Sequence, residues 1–252
     1  VLERLGVKIK GRTPSGKRQV NDDLLAALAE DVSDEVGEFA HAVIEAKKAG
    51  KWRKTWVQKF LDQADSNNRC HASINPLQAR TARMSITGIP AQTLPAGDST
   101  IRRCFLADDG HLIASVDYQA QELRVLAALS KDQTMVQAFK ENADLHQITA
   151  DAAGVDRSVG KMANFLNVYG GGPGKLVESA GVTFPVAKRV LDAFNETYPG
   201  VSKLSHQLQR EGSDRGYVVS PTGRRLPVDP TKAYAALNYV IQSTSRDVTG
   251  RA

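Results

Sequence analysis

The chain has 252 residues, 41% of them apolar, and its 33 Lys and Arg against 28 Asp and Glu give a formal net charge of +5. That composition supports a sizeable core in one large domain or two to three smaller ones, and no apolar run approaches the roughly 18 residues of a membrane span, so no membrane partner is expected. The basic balance favours an anionic partner, while the two cysteines, Cys70 and Cys104, lack any metal-ligand spacing and fit a reducing, cytoplasmic setting.

In chain order, residues 1–20 (VLERLGVKIKGRTPSGKRQV) begin as a short helical pattern and pass into a Gly, Lys and Arg rich loop. Asn21 or Asp22 then caps a helix beginning DDLLAALAED, and helical periodicity continues to about Asp65. Within it, KKAGKWRKTWVQK carries six cations and no acid, interleaved with Trp52 and Trp56. This is the pattern of a backbone-gripping surface, with ordinary core tryptophans on a solvated helix as the equal alternative. Residues 66–110 read as loop and short strands. HLIASVDYQAQELRVLAALS (111–130) reads as a buried strand ending at Asp117 and running into a helix. Residues 134–210 are mainly helical with breaks at Gly154, at GGGPG (170–174) and near Pro199. GYVVSPTGRRLPV is a hairpin turning at Thr222 and Gly223, and a last helix runs from about Ala233.

A carboxylate at the carboxyl edge of a sheet stands where ligands commonly bind, although Asp117 as a plain helix cap is the simpler reading of that residue alone. Further on, Arg157, Lys161, Phe165 and Tyr169 recur every four residues. At 100° per residue each step drifts by about 40°, so the four share one slowly winding stripe about 18 Å long. Such a stripe suits a nucleoside triphosphate, with phosphates toward the two cations and the base toward the two aromatics. YGGGPGKL is not a P-loop: Tyr169 stands where the first Gly belongs and Leu176 follows the Lys. Gly170 to Gly174 read instead as a helix stop and turn.

With these residues in view, the sequence resembles the polymerase domain of the family A DNA polymerases. VDYQAQELRVLA is similar to the family's first catalytic motif, and Arg157, Lys161, Phe165, Tyr169 and Gly170 match its nucleotide-binding helix. RCHASINPLQARTARMS with AQTLP and IRRCF resembles its duplex-binding segment, PTGRRLPV a later hairpin, LNYVIQSTSRDV the template-side helix, and residues 1–20 the start of the thumb.

The resemblance implies an α+β right-hand architecture, with thumb 1–70, palm 71–132, fingers 133–232 and a second palm segment 233–252. It implies a template-directed DNA polymerase acting on primer-template DNA and dNTP, in replication or repair, in a bacterium or as a phage protein in a bacterial host. No processivity partner can be named. Asp117 and the Tyr118 carbonyl would hold two Mg²⁺ ions, which prefer octahedral oxygen ligands and can activate the primer hydroxyl and stabilise the leaving pyrophosphate. Arg157, Lys161 and His146 would hold the triphosphate. Glu122, paired with Tyr169, would exclude a ribose 2′-hydroxyl, and Phe165 would disfavour dideoxynucleotides. Arg83, Gln92, Asn238 and Gln242 would face the minor groove, and Arg53, Lys54, Arg102 and Arg224 would contact phosphates.

Several positions depart from the family pattern. Gln119, Ala120 and Gln121 replace Ser, Gln and Ile, Ala82 replaces a Gly before Arg83, and Leu166 replaces one after Phe165. The family's second metal-binding acid, in a His-Asp-Glu hairpin, is not reached, so these 252 residues are expected to read as a fragment that extends primers negligibly. A single-subunit RNA polymerase and a non-catalytic DNA-binding module stand as alternatives. Glu122 and Phe165 argue against the first, and the missing acid favours the second.

Overall fold

A computed structural model describes residues 1–9, 11–13, 15–30 and 34–251; Lys10, Pro14, Asp31, Val32, Ser33 and Ala252, which the expected thumb and palm segments include, lie outside the described residues. The elements are α1 (Asp22–Leu28), α2 (Glu35–Trp52), α3 (Gln58–Gln63), β1 (Ser73–Asn75), β2 (Ser85–Thr87), α4 (Gln121–Ser130), α5 (Gln133–Lys140) and α6 (Leu145–Ala153). They continue with α7 (Arg157–Val168), α8 (Pro173–Ala180), α9 (Phe184–Thr197), α10 (Pro199–Arg215), β3 (Tyr217–Val219), β4 (Arg225–Pro227) and α11 (Ala236–Thr249). The class is α+β and helix-rich, with two two-stranded sheets among the described residues, β1-β2 and β3-β4. No helix among the described residues is long and apolar enough to cross a membrane.

The chain divides into two compact units, Val1–Ile74 with Ile86–Ile113, and Asn75–Ser85 with Ala114–Ala252. In the first, Asn21 caps α1 by accepting the Leu24 N–H at 3.0 Å, and Asp34 caps α2 by accepting that of Gly37 at 2.6 Å. Residues 1–6 form turns rather than the expected short helix. Leu2, Ile9, Leu25 and Ala40 close a small core between α1 and α2. Between α2 and α3, Arg53–Val57 form a π-helical turn, where one extra residue per turn re-aims the side chains. Trp56 is buried there, edge-on to Trp52 with ring centroids 6.0 Å apart. The tryptophans are therefore packing residues, and the cations beside them form an exposed face.

In the second unit, one core gathers Leu123, Leu126, Met135, Phe194, Tyr198 and Ile241, from α4, α5, α9 and α11 and the turn before α10. Another gathers Val159, Ala163, Leu176, Ala187, Val190 and Leu191 from α7, α8 and α9. Asp132, 3% exposed, joins two helix starts: one carboxylate oxygen accepts the Met135 N–H at 3.1 Å and the other the Gly200 N–H at 2.8 Å. β3 and β4 pair antiparallel with Val218 opposite Leu226, turning through 220–224 as expected.

The expected strand before Asp117 is absent. Residues 111–118 are irregular, and Leu112, Ile113 and Val116 are 96%, 64% and 89% exposed. A strand persists only where its N–H and C=O groups meet a neighbouring ladder, and no described strand pairs with this segment. An apolar run alone cannot report whether that neighbour exists. Asp117 consequently stands at no sheet edge. Nor does it cap α4, whose N-cap is Ala120 in the left-handed region at φ 51° with no side-chain cap bond.

Candidate functional site

The 157–169 stripe forms as the spacing predicts. α7 buries Val159, Gly160, Ala163 and Asn164, while Arg157 and Lys161 are exposed, Phe165 is half-buried and Tyr169, its C-cap residue, is exposed. Gly160 allows the close approach that fixes this face: a Cβ there would stand 2.4 Å from the His146 carbonyl oxygen of α6. After Tyr169 the helix stops at Gly170, φ 72°, where a Cβ would stand 2.7 Å from the Tyr234 carbonyl oxygen. Pro173 and Gly174 already belong to α8, so the stop is shorter than the expected 170–174 turn.

Two distant motifs meet at Glu122. Its Oε2 accepts the Tyr169 hydroxyl at 3.0 Å, its Oε1 pairs with the Arg83 guanidinium, and its side chain is 15% exposed. At the other end of α7, Arg157 Nε donates to Asp144 Oδ2 at 2.6 Å, while Asp144 Oδ1 caps α6 by accepting the His146 N–H at 2.9 Å. The Arg157 hydrogen bond holds the Asp144 carboxyl below its ordinary range. His146 lies 5.7 Å from the Phe165 ring, centroid to centroid. Burial pushes its pKa below the ordinary 6.5; Asp144 opposes this, and the positive charges of Arg157 and Lys161 add to it. The neutral imidazole therefore dominates at pH 7.

A cavity of about 420 Å³ opens beside these groups, lined by Gln119, Leu123, Arg124, Asp144, His146 and Arg157 among others. Arg124 stacks on Phe139, 4.5 Å from the ring centroid, and donates to the Gln119 carbonyl at 2.9 Å, pinning the turn that follows Tyr118. Gln121, one of the departures, donates to the Ser245 carbonyl and Thr249 hydroxyl of α11 at 3.1 and 2.9 Å. These two bonds tie the start of α4 to α11.

The remaining expected residues are dispersed. Asp117 and Tyr118 are exposed in the irregular segment, and no cluster of three or more His, Cys, Asp or Glu that could hold a metal occurs among the described residues. The Mg²⁺ expectation therefore finds one carboxylate and one carbonyl, which do not fit a two-ion octahedral site. Gln242 accepts the Thr81 hydroxyl at 3.2 Å, and the buried Asn238 Oδ1 has no partner among the described residues. Gln92 accepts the Ile86 N–H at 3.1 Å. Arg53 and Lys54 are exposed on the π-helical turn. Arg102 is held by the Pro95 and Leu94 carbonyls at 3.0 and 3.4 Å, and Arg224 by Asp247 at 2.8 Å. Both arginines thus do structural work that their positions in sequence do not announce. Asp144, Asn164 and Arg124 escaped sequence reasoning; the only advance signal was Asp144 standing two residues before His146 at a helix start.

A family model described as DNA polymerase family A matches residues 1–252. A DNA polymerase of Mycobacterium phage L5 is 64% identical over 251 residues, which are 100% of this chain and 42% of that protein. DNA polymerase I of Pseudomonas aeruginosa is 28% identical over 275 residues, 100% of this chain and 30% of that protein. The chain thus spans less than half the length of these relatives. Among solved structures, the POL domain of Pol1 from M. smegmatis, in complex with DNA primer-template and dNTP, superposes with a TM-score of 0.79 at 23% identity. That likeness covers 99% of this chain and 47% of the other, and it shows the fold.

Proposed function

The chain belongs to the family A DNA polymerases, and we propose that it supplies the nucleotide-binding and nucleotide-selecting part of a template-directed DNA polymerase that joins dNTP to a primer 3′-hydroxyl. The observation that carries this reading is the Tyr169 hydroxyl on Glu122 Oε2 at 3.0 Å, which brings the first motif and the end of the nucleotide helix to one point.

From there each residue has a task. Arg157 and Lys161 take the triphosphate, Arg157 exchanging Asp144 for phosphate oxygens, and neutralise charge that builds on the departing pyrophosphate. His146 offers a further ring donor. Phe165 packs against the base or sugar. Glu122, closed by Tyr169 and Arg83, occupies the volume a ribose 2′-hydroxyl would need. In the second unit Asn238 and Gln242 are minor-groove residues; in the first, Gln92 is one as well and Arg53 and Lys54 are phosphate contacts, with thumb 1–70, palm 71–132 and 233–252, and fingers 133–232. Divalent metal would supply activation of the primer hydroxyl in the whole enzyme.

Titration of the 252-residue chain with a dNTP tests the reading. Binding is expected, weakened about tenfold or more by Lys161→Ala, since a charge-assisted phosphate bond contributes about 1.5–3 kcal/mol. Primer extension is expected from the full-length protein and to be negligible from this chain. Equal dNTP affinity in the wild type and Lys161→Ala would sink the assignment.

A further inference from the structure

Behind the exposed stripe of α7 lies a fully buried polar network that the nucleotide reading does not use. Asn164 is 1% exposed, and Thr149 and Tyr198 are 0% exposed. The Asn164 Nδ2 lies 3.2 Å from the Leu145 carbonyl oxygen and 3.0 Å from His146 Nδ1, while its Oδ1 lies 2.7 Å from the Thr149 hydroxyl. Thr149 Oγ1 also lies 3.0 Å from the Leu145 oxygen, and the Tyr198 hydroxyl completes the set, 3.2 Å from Thr149 Oγ1 and 3.3 Å from the Leu145 oxygen.

The protons in this network follow from one fixed point. A carbonyl oxygen only accepts, so the amide group facing Leu145 must be the NH₂. The reversed amide would set its own oxygen 3.2 Å from that of Leu145, two acceptors face to face in a buried site, and the hydroxyls of Thr149 and Tyr198 that also reach the Leu145 oxygen would not relieve that repulsion. The same NH₂ therefore also faces His146 Nδ1, which must carry a lone pair. The single proton of the neutral imidazole is then on Nε2.

We propose that Asn164 is a positioning residue for His146: its amide holds the imidazole as the Nε2–H tautomer, so that the ring offers a donor rather than a lone pair to a triphosphate oxygen. The proposal rests on the nucleotide reading above and adds to it the residue that decides what His146 can do. The charged groups facing the ring are Asp144 from the cap of α6, and Arg157 and Lys161 from α7; the two cations and burial favour the neutral ring that Asn164 then orients. Because Gly160 lets α7 touch the backbone of α6 at His146, the two helices keep this register without slack.

The test is ¹⁵N NMR of the histidine rings in the 252-residue chain without ligand, the His146 signals being identified by their loss in His146→Gln. A single Nε2–H form is expected in the wild type at pH 7. Asn164→Asp should draw a proton to Nδ1 and give the doubly protonated ring, and Asn164→Leu should weaken dNTP binding several-fold to about tenfold, the effect of one lost hydrogen bond. A wild-type ring protonated on Nδ1, or a ring state unchanged in Asn164→Asp, overturns the proposal. So does full dNTP affinity in Asn164→Leu while His146→Gln weakens it. The wild-type spectrum needs no variant to fold. Failure of Lys161→Ala to weaken dNTP binding, with the Nε2–H form observed, would instead sink the nucleotide reading and leave the tautomer assignment standing.

Discussion

Gly160→Ala is a one-methyl change whose sign can be worked out. In an open helix interior, replacing Gly by Ala stabilises by about 0.8–1 kcal/mol through lost backbone freedom in the unfolded chain. At Gly160 the new methyl would stand 2.4 Å from the His146 oxygen and 3.0 Å from the Cβ and N of Ala150. Reaching ordinary contact near 3.4 Å requires α7 to retreat from α6 by about 1 Å. Overpacking of this kind costs about 1–3 kcal/mol, which cancels the gain and leaves a net destabilisation of up to about 2 kcal/mol. The same substitution at Gly50 in α2 meets nothing within 4 Å and should stabilise by about 1 kcal/mol. Urea unfolding followed by far-UV circular dichroism measures both. Tryptophan fluorescence separates them, because Trp52 and Trp56 are the chain's two tryptophans and lie in the first unit, which holds Gly50 but not Gly160. Retreat of α7 also breaks the Asn164–His146 register, so Gly160→Ala should weaken dNTP binding and Gly50→Ala should not. A Gly160→Ala chain stabilised by about 1 kcal/mol, as expected for Gly50→Ala, would refute the close-contact argument.

Three further substitutions probe other parts of the chain. Ala82 is 3% exposed at φ 58°, where a non-glycine residue pays about 1–2 kcal/mol; Ala82→Gly should therefore leave stability unchanged or raise it by up to about 1 kcal/mol, and a clear loss in urea unfolding would contradict the strain. Asp247 accepts from Thr222, Arg224 and Arg246 at 2.5, 2.8 and 3.3 Å; burial pushes its carboxyl up, but the Thr222 and Arg224 hydrogen bonds and the charges of Arg224 and Arg246 outweigh burial and bring it below 3.8. A lowered carboxyl pKa means stability that is complete above the unfolded value and lost as pH falls through the folded one. Asp247→Asn should thus cost about 1–3 kcal/mol at neutral pH, a gap that closes in strong acid; a gap independent of pH would count against the ion pairs. In the full-length protein, Phe165→Tyr should raise dideoxynucleotide incorporation relative to dNTP, and an unchanged ratio would contradict the role given to Phe165.

What the sequence made legible follows the physics of each element. The helices were readable because a 3.6-residue period, an Asn or Asp cap and a Gly or Pro stop are all local, and Asn21, Gly154 and Pro199 act where they stand. The stripe of α7 was readable for the same reason. The strand before Asp117 was not, because a strand is a property of two segments, and an apolar run looks identical whether or not a neighbour is present. Side-chain partners across the fold were equally hidden. Arg224 reads as a free cation for phosphate until Asp247, 23 residues away, is seen to hold it. Asn164 reads as one polar residue between Lys161 and Phe165, and its meaning depends on a carbonyl of Leu145 that no periodicity connects to it. Asp144 went unread, although it caps α6 through Oδ1; its Oδ2 holds Arg157, the cation that a triphosphate would have to win from it. If the proposed function holds, two anions compete for one guanidinium at this end of α7, and the exposed carboxylate of Asp144 is already in place.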